Sequence, residues 1–194
     1  MLVLGSRGHG TLAGFVLGST SPLGVARCPA VAVRDGDPSV ECGWGHPCAS
    51  GRNEVVVGVR ESGPGADSLL EFTLTAAELH GSRVRAVGAC PFLRLVTHPH
   101  LMTGQHADER YKAEERARLV EALAPWREKF PTVPAVEHLA VGSAGHVLLN
   151  AAAHARLTVA GRRRHPSHRT CDLGPSAHSA LYRLGCPVAV IPHG

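Results

Sequence analysis

Residues able to do chemistry gather at the start of the chain. The apolar run Leu2-Val3-Leu4 passes into Gly5-Ser6-Arg7-Gly8-His9-Gly10, and Gly18-Ser19-Thr20-Ser21 follows after a further apolar stretch. An apolar run ending in closely spaced glycines reads as a buried strand handing over to a loop that approaches something closely. Glycine tolerates left-handed dihedrals and leaves main-chain N–H groups uncovered, which is the chemistry of a phosphate cradle. The plainer reading is a tight turn between a strand and a helix, and the glycines by themselves do not choose between the two.

Other candidate clusters say less. Cys42, His46 and Cys48 offer three soft-metal ligands in a turn-rich stretch, but a structural zinc site takes four and no fourth is evident, so no metal is expected. Arg162-Arg163-Arg164-His165, with His168 and Arg169, could meet phosphate through side chains, against the commoner reading of a solvated surface loop. His98, His100 and His106 share no helical spacing and read as surface histidines. No serine, cysteine or carboxylate sits in a nucleophile or acid–base arrangement, so the chain is not expected to be an enzyme.

The chain of 194 residues, 44% hydrophobic, suits one domain of ordinary size plus an additional piece. No apolar run approaches the roughly 20 residues that cross a bilayer, and the N-terminus carries no leader pattern. The expectation is a soluble, cytoplasmic protein with no membrane partner. A formal charge of +4, with basic residues spread along the chain apart from Arg162 to Arg164, gives no nucleic-acid footprint. Cys28, Cys42, Cys48, Cys90, Cys171 and Cys186 lie far apart and read as reduced thiols.

The elements that must position these residues alternate. Residues 2–4 and 30–33 read as short strands, with residues 5–10 as a loop and a short helix over residues 20–27. Residues 35–53, rich in turn formers, read as a linker. Beyond it, residues 54–59 form a buried strand, and residues 66–80 place Leu69, Leu70, Thr73, Leu74 and Ala77 on one helical face. Strands over 83–89, 133–141, 157–160 and 188–191 alternate with helices over 108–129, 144–155 and 176–184, with Ser143 as an N-cap. Such alternation, with strands apolar on both faces, implies a parallel sheet covered on each side.

The chain also repeats itself. Gly5 corresponds to Gly161 and Gly18 to Gly174, and Cys28-Pro29-Ala30-Val31-Ala32-Val33 corresponds to Cys186-Pro187-Val188-Ala189-Val190-Ile191 after a two-residue shift. Residues 1–34 therefore read as the last third of a unit whose complete copy occupies residues 54–194.

The spacing of Gly5, Gly8, Gly18 and Ser19, a glycine, two residues, a glycine, nine residues, then glycine-serine, resembles the universal stress protein family. The complete copy is similar through Val55-Val56-Val57-Gly58-Val59, Ala76-Ala77-Glu78-Leu79-His80-Gly81, Val147-Leu148-Leu149 and Cys186-Pro187-Val188. The resemblance implies an α/β fold with a doubly wound, five-stranded parallel sheet in the order 3-2-1-4-5, of the adenine nucleotide alpha-hydrolase-like kind. It implies a tandem chain, and a regulator of stress responses that binds ATP through Gly5, Gly8, Gly18, Ser19 and Ser21. It also implies a homodimer, or a pseudo-dimer within one chain, through the last strands, with residues 30–33 pairing with residues 188–191.

Departures from the family pattern concentrate in the complete copy. Where nucleotide-binding members carry an aspartate after the first strand, this chain has Arg60; Arg164 replaces the second loop glycine, and Gly174-Pro175 replaces glycine-serine. A side chain at the second glycine crowds a phosphate, and proline removes an N–H from the helix start. Val59, Arg60, Gly161, Arg164 and Gly174 thus outline a degenerate second site, while the N-terminal motif lacks the strands that would wall a base and ribose. Weak or absent ATP binding is expected at both. Two readings stand: a nucleotide-binding stress regulator, and a non-nucleotide dimerisation or interaction protein whose sites have decayed.

Overall fold

The structure is a computed structural model that describes residues 1–6, 26–34, 52–60, 64–91, 105–163 and 173–193. Short β-branched runs make the strands and longer runs with helical apolar spacing make the helices. In chain order the elements are β1 (Leu2–Ser6), β2 (Ala30–Arg34), β3 (Glu54–Gly58), α1 (Pro64–Leu79), β4 (Arg83–Cys90), α2 (Gln105–Lys129), β5 (Ala135–Val141), α3 (Ala144–Ala151), β6 (Leu157–Arg163), α4 (Pro175–Arg183) and β7 (Val188–His193). Ser143 caps α3, its hydroxyl accepting the His146 N–H at 3.4 Å.

All seven strands share one sheet in the order β1-β2-β7-β6-β3-β4-β5. Neighbours from β7 to β5 are parallel, β2 lies antiparallel on β7, and β1 runs parallel to β2. The sheet is therefore mixed and wider than the five parallel strands expected. Its extra width has a physical cause: a five-residue strand cannot bury itself, and β2 does so on the edge that β7 offers, leaving Ala30, Val31 and Ala32 buried.

Side chains alternate across the sheet with period two. Val55, Val57, Val159, Ala189, Ile191 and Val31 face Leu69, Leu70, Leu74 and Leu123 of α1 and α2. Val56, Ala160, Val188, Val190, Ala30 and Ala32 face Val147, Leu148, Ala177, Ala180 and Leu181 of α3 and α4. The N-terminal strand pair therefore shares both apolar layers with the rest of the chain.

The registers at the two ends of the β2–β7 junction match. Leu2↔Ala30 through Ser6↔Arg34 corresponds pair for pair to Thr158↔Val188 through Arg162↔Pro192, given the equivalence of Gly5 with Gly161 and of Val31 with Ala189. Across the junction, Ala30 faces Val190 and Ala32 faces Val188, so the pairing is centred on the equivalent residues Val31 and Ala189. That is the register of a local twofold relation.

Several boundaries differ from the sequence reading. β1 continues through Gly5 and Ser6, which read as loop; β6 runs on to Arg163 and β7 to His193. In each case a neighbouring strand extends the ladder past the last apolar residue. Gly8, Gly18, Ser19 and Ser21, residues 35–51 with Cys42, His46 and Cys48, and Arg164, His165, His168 and Arg169 lie outside the described residues. Among the described residues no helix is long and apolar enough to cross a membrane.

Candidate functional site

Between β3 and β6 the order of the sheet reverses. β3 has its successor β4 on one side and β6 on the other, and the helices that follow β3 and β6 leave on opposite faces of the sheet. In an open parallel sheet such a reversal leaves a crevice outside the carboxyl ends of the two strands, where ligands bind. Val59, one residue past β3, and Gly161, two residues before the end of β6, are two of the residues singled out from the sequence, and the register Val57↔Val159 carries them to the same level.

Val59 is half-buried and its N–H donates to the Val87 carbonyl at 2.9 Å, carrying the ladder one step past β3. Arg60 follows it and is exposed. Gly174 is the N-cap of α4, the helix entered after β6; it has no capping side chain, and Pro175 occupies the first turn. Proline there costs the helix little, because that N–H has no intrahelical partner, but it leaves one donor fewer for an anion at the helix start. The structure thus gathers Val59, Arg60, Gly161 and Gly174 at one end of the sheet.

Gly161 is enclosed by a residue the sequence reading did not single out. A Cβ placed on Gly161 would stand 2.7 Å from His193 Nε2, 2.9 Å from its Cδ2 and 3.2 Å from Leu69 Cδ2. A Cβ on Gly65, in the first turn of α1, would stand 2.7 Å from His193 Nδ1. The imidazole is therefore wedged between the end of β6 and the start of α1, and glycine at both positions is what gives it room. Strand alternation carries the signal that could have found it: His193 lies two residues beyond the buried Ile191 and so on the same face.

The arginine run is divided by the structure. Arg162, read as part of a solvated loop, is 2% exposed and donates from a guanidinium nitrogen to the Ala26 carbonyl. The correction has a geometric reason: β6 extends through Arg162, whose alternation turns it into the layer under α4, toward the chain leading into β2. Arg163 is exposed.

Gly5 sits in different surroundings. Among the described residues, a Cβ there would meet nothing within 4 Å. Because β1 runs opposite to β6, with β2 and β7 between them, the Gly5 end lies at the other end of the sheet and about 14 Å away across the strands on standard spacing. The two glycine sites are thus separate in space.

Polar groups at the amino-terminal ends of β3 and β4 hold one another. Arg83 and Arg85 reach the Glu54 carboxylate at 3.1 and 3.0 Å, and Thr132 donates to Glu78 at 3.3 Å beside an open groove of about 510 Å³ lined by Asn53, Ser82, Arg83 and Pro134. Burial pushes the nearby His80 imidazole below its usual value, and the Arg156 guanidinium adds to the effect. This groove lies at the end of the sheet opposite the crevice, and its charges are engaged in holding strand ends. Among the described residues no cluster of His, Cys, Asp and Glu could hold a metal, and Cys28, Cys90 and Cys186 form no disulfide.

The description "Universal stress protein family" belongs to the sequence family that matches residues 51–192. Universal stress protein Rv2005c of Mycobacterium tuberculosis and Universal stress protein Mb2028c of Mycobacterium bovis are each 28% identical over 192 residues, which is 98% of this chain and 61% of theirs. The chain spans about three-fifths of the length of those curated relatives. A universal stress protein of Archaeoglobus fulgidus DSM 4304 superposes with a TM-score of 0.64 at 19% identity, over 99% of this chain and 62% of that one. Another from Archaeoglobus fulgidus gives 0.53 at 23%, over 71% of this chain and 97% of that one. At these identities the superpositions speak for the fold. With a family match over most of its length, the chain belongs to the universal stress protein family.

Proposed function

We propose that the chain is a non-enzymatic regulator of stress responses that works by binding, and that its ligand site is the crevice beside Val59 and Gly161, with an adenine nucleotide as the ligand. The observation that carries this reading is the strand reversal at β3 and β6, which opens a crevice at the carboxyl ends of the two strands, beside Gly161 near the end of β6. The N-terminal motif Gly5, Gly8, Gly18, Ser19 and Ser21 is the better match in sequence, but Gly5 lies on the edge strand β1, and among the described residues nothing stands within 4 Å of a Cβ placed on it. Affinity is weak, because Pro175 withholds a donor and Arg60 replaces the acidic residue that the family resemblance places against the nucleoside. No metal takes part.

A second reading rests on the matched registers at the β2–β7 junction. They support a tandem origin for residues 1–34 and a pseudo-dimer within one chain, in which the protein serves association with partners and its nucleotide sites have decayed. Equilibrium dialysis with ATP on the wild type, Gly8→Arg and Arg164→Gly separates the possibilities. Binding that survives Gly8→Arg and strengthens in Arg164→Gly supports the crevice. Loss in Gly8→Arg moves the site to the N-terminal motif, and no binding by any of the three leaves the association reading.

A further inference from the structure

We propose that His193 is the specificity-determining residue of the crevice: its imidazole occupies the approach to Gly161 and keeps an adenine nucleotide from closing on that glycine. This rests on the placement of the ligand site proposed above. Gly161 lies near the end of β6, two residues before the strand ends at Arg163, and a phosphate cradle requires ligand atoms to come close to such a backbone. On the α1 face that approach is taken. The ring stands so near that one added carbon on Gly161 would meet Nε2 at 2.7 Å, and one on Gly65 would meet Nδ1 at the same distance.

The wedge closes a specific gap. It bridges the end of β6 and the first turn of α1, the helix that walls the crevice on that face, while Leu69 lies behind it at 3.2 Å from the same added carbon. Its backbone is fixed by the ladder, since His193 pairs with Arg163 in the last step of the β6–β7 register. A ligand can reach Gly161 from this face only after the ring has moved, and the half-buried ring has one side toward solvent. The chain thus keeps the glycine of a nucleotide loop and gives the space above it to an imidazole. In the N-terminal strand pair the position equivalent to Gly161 is Gly5, and among the described residues no side chain stands over it as His193 stands over Gly161.

The test joins a stability cycle to a binding measurement on the full chain. Gly161→Ala should lower the melting temperature by about 4 °C or more in the presence of His193 and by much less in a His193→Ala background, because the added methyl then has space. Additive effects would overturn the wedge. In equilibrium dialysis with ATP, His193→Ala should bind at least about tenfold more tightly than the wild type. His193→Gln, which keeps most of the bulk, should stay near the wild type. Equal binding by the wild type and His193→Ala overturns the role of His193 while leaving the site in place. A coupled stability cycle with no ATP binding in any variant overturns the nucleotide reading of the crevice, and with it the role given to His193.

Discussion

If β2 pairs with β7 of its own chain, truncating its central residue should cost stability that does not depend on protein concentration. Val31 is 6% exposed and sits opposite Ala189, which is fully buried, in the layer that faces α1 and α2. Val31→Ala removes two buried methyl-sized groups, about 1.6 kcal/mol at the usual rate per group. Incomplete collapse of the space left behind raises this to about 2 kcal/mol. For a chain of this length that amounts to a fall in melting temperature of about 4–8 °C. Val31→Asp should do more, since a carboxylate in that layer adds several kcal/mol of desolvation, a large share of the roughly 5–15 kcal/mol that holds a domain folded. The assay is thermal and urea unfolding at two protein concentrations a decade apart. A strand supplied by a second chain would make the midpoint follow concentration by mass action. A Val31→Ala midpoint equal to the parent's, or one that shifts on dilution, would refute in-chain pairing.

Three further perturbations test local parts of the account. His80 has its pKa held below the ordinary 6.5 by burial and then by Arg156, so its contribution to stability is complete above 6.5 and is lost as pH falls from there through the folded-state value; the urea midpoint should drop over that window, and His80→Gln should flatten the drop. The Glu137 carboxyl is held below its usual range first by a backbone hydrogen bond and then by Arg127 and Arg116, so Glu137→Gln should lower stability above the ordinary carboxylate pKa and match the parent in acid, which an unfolding series from neutral pH downward would read. Gly81 closes α1 with φ 57°, Ser82 N–H bonding the Ala77 carbonyl and Gly81 N–H the Glu78 carbonyl; Gly81→Ala has space for its methyl and should still cost about 1 kcal/mol through the backbone, seen as a lower melting temperature.

Where local pattern and burial agree, the sequence was readable. Val55 to Val57 announce a strand buried on both faces, and Leu69, Leu70, Thr73, Leu74 and Ala77 announce a helix with one inward face; all eight are buried. Ser143 announces its cap. The family resemblance led to the pairing of residues 30–33 with residues 188–191, and in the structure Ala30 to Ala32 of β2 pair with Val188 to Val190 of β7. Its consequence for the whole sheet was missed, because sheet width depends on which edge a strand finds and not on that strand's own residues. The site was half legible. Glycine spacing marked Gly161 and Gly174, yet the residue that covers Gly161 comes from the far end of the chain and carries no motif, and Arg162 looked like surface because three arginines in a row do so until a ladder extends through them.

Hydrogen exchange of the wild type with and without millimolar ATP tests the placement of the ligand site most directly. The account predicts slower exchange in peptides covering residues 57–60 and 160–163, where the ends of β3 and β6 meet, and unchanged exchange in residues 2–6. Slower exchange confined to residues 2–6, or none at either place while bound ATP is detected, would contradict it.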